Sequence, residues 1–398
     1  MKKLFWIGLL LASQYIYGAT ALDANLQQFI NHEQVKLKVN AISLSVSLPR
    51  QNSIHNYVTG TLSKNNKTPI TPNNLFQVGS ITKNFTALLI MQLISAGKLQ
   101  LDAPLGTYLP QYPKWEKITI RQLLNNTSGI YDYIDEPHWW EQVMDHPHKI
   151  YHPEQLLKIA YQHKPYFAPN QGWHYSNSNY LILGLVIEKL SNKSIQHALQ
   201  QLLDKANLHN SYFMTANYSI EFLQQMVHGY YQDIDNTEIN GSWGSSAAAL
   251  ISTPNQIVLW VQTLFNKAIL SNQELLMVEQ AVSVTTGQPS NDFSKTAYGL
   301  GMFRMNTPAG LVWFTPGLTP GYRSIWVLMP CYNISFAYSV SNSLIGIPIH
   351  EEMMRQLIPT ILNDKAVQHA IKKYQQQANL PDYCRTLAPS KEWSFVSL

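Results

Sequence analysis

Apolar and polar residues alternate without a break over 41–48, Ala-Ile-Ser-Leu-Ser-Val-Ser-Leu, which predicts a half-buried strand. Residues 25–36 ahead of it carry apolar positions at helical spacing. A second strand around Tyr57 and Val58 is expected to pair back through the polar turn from Arg50 to Ser53. The stretch that opens at Ser80 differs in kind. Phe85, Leu88, Leu89, Met91, Leu93 and Ile94 make it apolar nearly all round, so it predicts a buried helix, stopped at Gly97. From about 113 to 288 the spacing is mostly helical, clearest at 118–124, 153–162, 180–190 and 255–265. Strand patterns return at 311–314, 324–329 and 334–339, with Pro330 to Asn333 as the turn between the last two, and 351–362 reads as a closing helix. Strands at both ends with helices between them predict an α/β (α+β) fold. Its antiparallel sheet is formed by the N- and C-terminal segments and flanked by helices, with a mostly helical subdomain (about 113–290) inserted. Residues 363–398 add a helix near 364–379 and an irregular tail.

The first residues change the picture. Met1-Lys2-Lys3 is basic, Leu4 to Ala12 is apolar, and Ala19-Thr20-Ala21 fits a cleavage pattern, so 1–21 reads as a secretory leader. The apolar run falls short of the ~20 residues a bilayer span needs, which leaves an uncleaved anchor as the lesser reading. No cysteine stands near the cleavage region to carry a lipid. A periplasmic or secreted location, with no stable membrane insertion after cleavage, is the expectation. Removing Lys2 and Lys3 from the 28 basic residues leaves 26 against 24 acidic, a net of +2, too mild for a nucleic-acid or anionic-membrane partner. About 375 residues remain, which calls for one two-part domain or two domains. In an oxidising compartment the two cysteines, Cys331 and Cys384, either form one disulfide or stay as two buried thiols.

Candidate chemistry begins at Gly79-Ser80-Ile81-Thr82-Lys83. A serine three residues before a lysine places both side chains on one helix face, about a turn apart. At the first turn of a helix the hydroxyl also sits where backbone N–H groups are unpaired, which supplies a base and a stabiliser for developing negative charge. Tyr175-Ser176-Asn177 closes a polar loop. A phenol with its pKa lowered by the Lys83 ammonium would relay a proton, and the Asn177 amide would either bind a substrate carbonyl or hold Lys83. Thr315-Pro316-Gly317-Leu318 follows a predicted strand directly. Gly317 permits close approach to the backbone, and the N–H of Leu318 can join that of Ser80 as an oxyanion hole.

Taken together these segments resemble the serine β-lactamase and DD-peptidase superfamily, nearest its class C branch. Phe76 to Lys83 is similar to the family's first motif and Tyr175-Ser176-Asn177 to its second. Thr315-Pro316-Gly317 stands where the third, a Lys/His-Thr-Gly strand motif, belongs. Leu101-Asp102-Ala103-Pro104, Leu123 to Gly129, Leu250 to Thr253 and Tyr298 to Gly301 also resemble family signatures. The resemblance implies a β-lactamase/transpeptidase-like catalytic domain over 22–362. It also implies an exported serine hydrolase in which Ser80 is acylated, Lys83 and Tyr175 form the acid/base apparatus and Asn177 supports the substrate. The implied partner is a small-molecule or peptide substrate bearing an ester or amide. A catalytically idle scaffold that keeps the fold for binding is the alternative. The implied chemistry needs no metal and no cofactor, and the histidines His138, His146, His148 and His152 lack the cysteine or spaced carboxylate of a zinc site.

The departure lies in the third motif. Thr315 and Pro316 replace the cation and hydroxyl that hold a substrate carboxylate in such enzymes, and Arg323 compensates only if it turns inward. Trp139-Trp140 and Tyr131-Asp132-Tyr133 are expected to line the rim or pack locally.

Overall fold

The two ends of the chain meet in one sheet. The computed structural model describes residues 20–51, 53–265, 280–343 and 349–393. Strands β1 (Ala41–Ser47) and β2 (Ile54–Gly60) form a hairpin near the N-terminus. The others come late: β3 (Val282–Ser283), β4 (Ala297–Tyr298), β5 (Phe303–Thr307), β6 (Gly310–Thr319), β7 (Tyr322–Met329) and β8 (Ile334–Val340). Across the eight-stranded sheet the order is β2-β1-β8-β7-β6-β5-β4-β3, and every neighbouring pair is antiparallel. The longer helices are α1 (Ala21–Leu37), α2 (Thr82–Ser95), α3 (Pro153–Gln162), α4 (Asn177–Ser191), α5 (Ile195–Lys205), α6 (Pro254–Phe265), α7 (Ile349–Leu362) and α8 (Lys365–Gln377).

Each sheet face has its own cover. Ile42, Leu44, Ile325, Val327 and Phe336 pack beneath α1 and α7 through Leu26, Ile30, Met353 and Leu357. Trp313, Trp326 and Ala337 belong to the other core, with Phe85 of α2 and Trp260 of α6, whose rings stack at 3.9 Å. The alternation in β1 predicts one wet face, yet all seven of its residues are buried. Ser43, Ser45 and Ser47 are small enough to lie under the inserted helices. Two of the hydroxyls have partners: Ser45 donates to Asn56 at 2.7 Å, and Ser47 accepts from Gln262 of α6.

Strand β6 also outruns its sequence pattern, because Thr315, Pro316 and Gly317 continue it to Thr319 rather than following it. Pairing with β5 ends at Phe314, so beyond that point β6 keeps only β7 as a partner. That open edge tolerates a proline, which has no N–H to donate. Among the described residues between β2 and β3 the regular elements are chiefly helices. The same stretch also holds a three-stranded sheet of Phe76–Gln77, Leu250–Ser252 and Tyr212–Phe213, which helical spacing did not signal. Val282–Ser283, inside the stretch read as helical, already form the sheet edge.

Thr20 caps α1 through a reciprocal bond with Asp23; the rest of the expected leader, residues 1–19, lies outside the described residues. Among the described residues no helix is long and apolar enough to cross a membrane. Of the two readings for the cysteines, the bridge is the one found. Cys331, in the turn after β7, joins Cys384 in the short helix Tyr383–Thr386. The tail then lies along β5, with Asn306 donating to the Ala388 carbonyl at 2.9 Å and Ser390 N–H to Thr307 at 3.1 Å.

Candidate active site

Ser80 sits in a tight 3-10 turn, Gly79–Ile81, that leads straight into α2. Gly79 takes a left-handed conformation (φ 53°) with Leu318 of β6 against it, a geometry that disfavours any side chain. Gly317 is tighter still. A methyl there would stand 1.9 Å from the Val78 carbonyl oxygen and 3.3 Å from the Ser80 nitrogen. The glycine at 317 therefore lets the Ser80 turn itself close on the free edge of β6. This brings the backbone of Ser80 beside that of Leu318.

Lys83, in the first turn of α2, is fully buried. Its ammonium donates to Ser80 Oγ at 3.1 Å, Asn177 Oδ1 at 2.7 Å and the Ala247 carbonyl at 3.1 Å, which uses all three of its hydrogens. Among the described residues no carboxylate forms a direct ion pair with it. The faces of Tyr175 and Tyr180 flank it, with ring centres 4.7 and 5.3 Å from Nζ. Burial pushes its pKa down from 10.5 to about 7, and the negative charge of Asp132 opposes that shift. A lysine so placed is driven toward its neutral form by burial.

Tyr175 departs from the sequence expectation. It is half-buried among Tyr298, Phe303 and Trp173, and that burial raises its phenol well above the usual value, while a hydrogen bond with Ser80 pulls modestly the other way. Lys83 lies over the face of the ring, 4.7 Å from its centre, and burial sets the direction of the shift. Tyr175 therefore stays a neutral O–H group.

Asn177 is the first residue of α4, which starts three residues earlier than its apolar spacing suggests. Its main-chain N–H and its side-chain Nδ2 both donate to Asp132 Oδ2, at 3.0 and 2.9 Å. The loop before α4 is braced by Asn126, whose side-chain oxygen accepts from Ser176 N–H and Asn179 Nδ2 at 3.2 and 2.8 Å. Sequence reading left Asp132 either to line the rim or to pack locally. It is buried, in contact with Asn177. The available signal was a lone acid inside the apolar run Ile130-Tyr131-Asp132-Tyr133-Ile134.

At the third motif, Thr315 is buried, and its hydroxyl accepts from Asn84 Nδ2 at 3.2 Å and donates to the Gly301 carbonyl at 3.4 Å. Asn84, unremarked in the sequence, also accepts from Trp326 Nε1 at 2.7 Å. Arg323 does not turn toward Ser80. It shares strand parity with Ile325 and Val327, on the α1/α7 side of the sheet, where its electrostatic neighbours are Tyr338 and His350. Leu318 stays 42% exposed beside the site. The four histidines disperse: His138 pairs with Glu141 and His148 with Glu238, and the described residues hold no group of side chains suited to a metal. Trp139 packs on Tyr133, and Trp140 on Trp243.

The sequence pattern of the Beta-lactamase family matches residues 23–354. The chain belongs to that family. Within it, the chain is 26% identical over 293 residues to penicillin-binding protein 4* of Bacillus subtilis (strain 168), covering 69% of this chain and 62% of the relative. It is 24% identical over 325 residues to protein flp of Staphylococcus aureus (strain NCTC 8325 / PS 47), covering 79% and 62%. The chain thus spans 62% of the length of these curated relatives. Among solved structures it is similar to a D-stereospecific amidohydrolase from Streptomyces sp. (TM-score 0.71, 25% identity, 80% of this chain and 94% of that one). It also shares the fold of the D-amino acid amidase from Ochrobactrum anthropi SV3 (TM-score 0.76, 24% identity, 86% and 99%).

Proposed function

We propose that this family member is an exported serine hydrolase that forms an acyl-enzyme on Ser80 and prefers neutral esters or amides. The observation that carries the reading is the buried Lys83, hydrogen-bonded to Ser80 and driven toward its neutral form. Once neutral, Nζ turns from donor to acceptor and takes the Ser80 proton as Oγ attacks the acyl carbon. The carbonyl oxygen gains negative charge, and the N–H groups of Ser80 and Leu318 face it. Tyr175, held as a phenol, passes a proton to the departing amine or alcohol and draws one back from the Lys83 ammonium. Water then attacks the acyl carbon by the same groups in reverse, releasing the acid and restoring Ser80. Asn177 holds Lys83 and borders the bound acyl group.

The preference for neutral substrates rests on β6. The Thr315 hydroxyl is engaged with Asn84 and Gly301, Pro316 offers no donor, and Arg323 sits on the α1/α7 face of the sheet beside Tyr338 and His350. Export rests on the basic and apolar leader of 1–21 and agrees with the Cys331–Cys384 bridge. The D-stereospecific amidohydrolase among the similar structures, at 25% identity, agrees with hydrolysis of an amide.

A fluorescent phosphonate provides the test. It should label the purified chain on the peptide that contains Ser80, and Ser80→Ala should abolish the label. Undiminished labelling of that variant would overturn the assignment.

A further inference from the structure

We propose that Asp132 is a positioning residue of this site, acting through Asn177 to hold Lys83 against Ser80. The inference rests on the functional reading above for its kinetic consequence, but its geometry stands independently. A side-chain amide presents an acceptor on one side and donors on the other, so its two orientations offer opposite polarity to the neighbours. Here Asn177 Oδ1 meets the Lys83 ammonium at 2.7 Å and Nδ2 meets Asp132 Oδ2 at 2.9 Å. Rotating the amide by half a turn would set an NH2 group against an ammonium and a carbonyl oxygen against a carboxylate. Both contacts would be repulsive, and both groups are buried where water cannot relieve them. The carboxylate at 132 therefore determines which atom of Asn177 faces Lys83.

Asp132 also fixes where Asn177 stands. Ser176, at the cap position of α4, offers no side-chain bond to the helix. Asp132 takes that place from a distant segment by accepting the Asn177 main-chain N–H at 3.0 Å, at the positive end of the helix. Its own loop is anchored in turn. The N–H of Asp132 donates to Tyr166 Oη at 3.0 Å, and that hydroxyl donates to Asp135. One oxygen thus sets both the backbone and the side chain of the residue that grips the lysine.

Asp132 brings charge as well as shape, although burial raises its carboxyl from 3.8 to about 6, so that the charge is present above that pH. The groups facing Lys83 are Asp132 and the phenols Tyr175 and Tyr180; those facing Asp132 are Lys83, Asp135 and the phenols Tyr131, Tyr133, Tyr166 and Tyr175. Every one of these phenols is raised by burial and stays neutral. The local field at Lys83 is therefore set chiefly by Asp132, which favours the ammonium.

The experiment compares Asp132→Ala and Asp132→Asn with the parent in the full chain, with thermal melts to confirm folding. Phosphonate labelling of Ser80 should slow by about 100-fold in Asp132→Ala, the scale of a misplaced catalytic group. It should stay within about tenfold of the parent in Asp132→Asn, which keeps an acceptor for both Asn177 donors. Independently of activity, the Lys83 side chain is titrated by NMR on lysine labelled at Cε, assigned by its loss in Lys83→Arg. In Asp132→Asn it should titrate at lower pH than in the parent, because the attraction for the ammonium is gone. A folded Asp132→Ala labelled within about threefold of the parent, or a Lys83 titration that does not move in Asp132→Asn, overturns the proposal. If Asp132→Ala does not fold, the Asp132→Asn titration decides. If the parent is never labelled at Ser80, the functional reading fails, and the titration still decides the role of Asp132.

Discussion

Lys83 and Thr315 are both buried polar side chains beside the start of α2, yet their surroundings are opposite. Around Lys83, partners from the Ser80 turn, α4 and the Ala247 turn converge, and all of them point the amine at the serine. Around Thr315, partners draw the hydroxyl inward to Asn84 and Gly301, where it ties β6 to α2. The first arrangement stores reactivity, because it holds a cation where water cannot solvate it. The second gives up a recognition group for cohesion of the scaffold. On the proposed reading, bond-making and substrate selection are separate parts of this site, so each should be alterable without the other.

The largest expected effect lies on the Lys83 side. Lys83→Ala should lower acylation of Ser80 by about 10³-fold, the range of a lost general base, measured as the rate of phosphonate labelling. In the parent, kcat/KM should rise with pH as Lys83 loses its proton through about 7. It should then hold level toward pH 10, because the Tyr175 phenol is raised above its usual 10.0 and does not ionise in that span. A profile that falls between pH 8 and 9.5 would show that a group other than these two controls the rate.

Gly317→Ala tests the contact between the two regions. Its methyl, placed 1.9 Å from the Val78 oxygen, must push β6 away from the Ser80 turn and carry the Leu318 N–H with it. A loss of about 100-fold in kcat/KM is expected, the scale of one missing oxyanion donor. Steady-state kinetics on a short neutral ester would read it. An unchanged kcat/KM in a folded variant would remove Leu318 from the mechanism.

A smaller effect is expected on the Thr315 side. Thr315→Lys combined with Pro316→Thr should raise kcat/KM for carboxylate-bearing substrates relative to neutral esters by about tenfold, the lower end of a charge-assisted bond worth roughly 1.5–3 kcal/mol. The ratio within each variant cancels any general loss from disturbing Asn84. A parent enzyme that already favours carboxylate-bearing substrates would mean that another group binds the carboxylate.

The smallest effect on activity belongs to the far end of the sheet. Cys331→Ser should lower stability by about 3–4 kcal/mol, as expected for opening a long covalent loop, and leave kcat/KM nearly unchanged. Thermal melts beside ester hydrolysis would separate the two. An equal fall in both would tie the tail to the site.

Much of this was legible in the chain. Ser80 and Lys83 could be paired from spacing alone, since one helical turn is a local property, and the motif order supplied Tyr175 and Asn177. Asp132 could not be assigned a role that way. It lies far from Asn177 in sequence and acts as a cap across space, a contact that leaves no periodic trace. The sign of the Tyr175 shift was misread for a related reason. A charge nearby is visible in sequence, whereas the enclosing rings of Tyr298 and Phe303 come from β4 and β5. The second buried face of β1 was hidden because serine reads as polar, although it is small enough to pack beneath a helix. The strand pattern at 311–314 likewise ended early, where proline interrupted it.

The pairing of β1 with β8 has a consequence in time rather than in space. The N–H of Ala41 meets the Ser341 hydroxyl at 2.8 Å, across 300 residues of chain. The centre of the sheet therefore cannot zip until nearly the whole polypeptide is available, and closing so long a loop slows folding more than it weakens the folded state. Until β8 is made, β1 and β2 have one partner each and an unmatched edge. A chain that stays open this long needs protection from its own strand edges, so overproduction should yield aggregates whose sticky segment is β1.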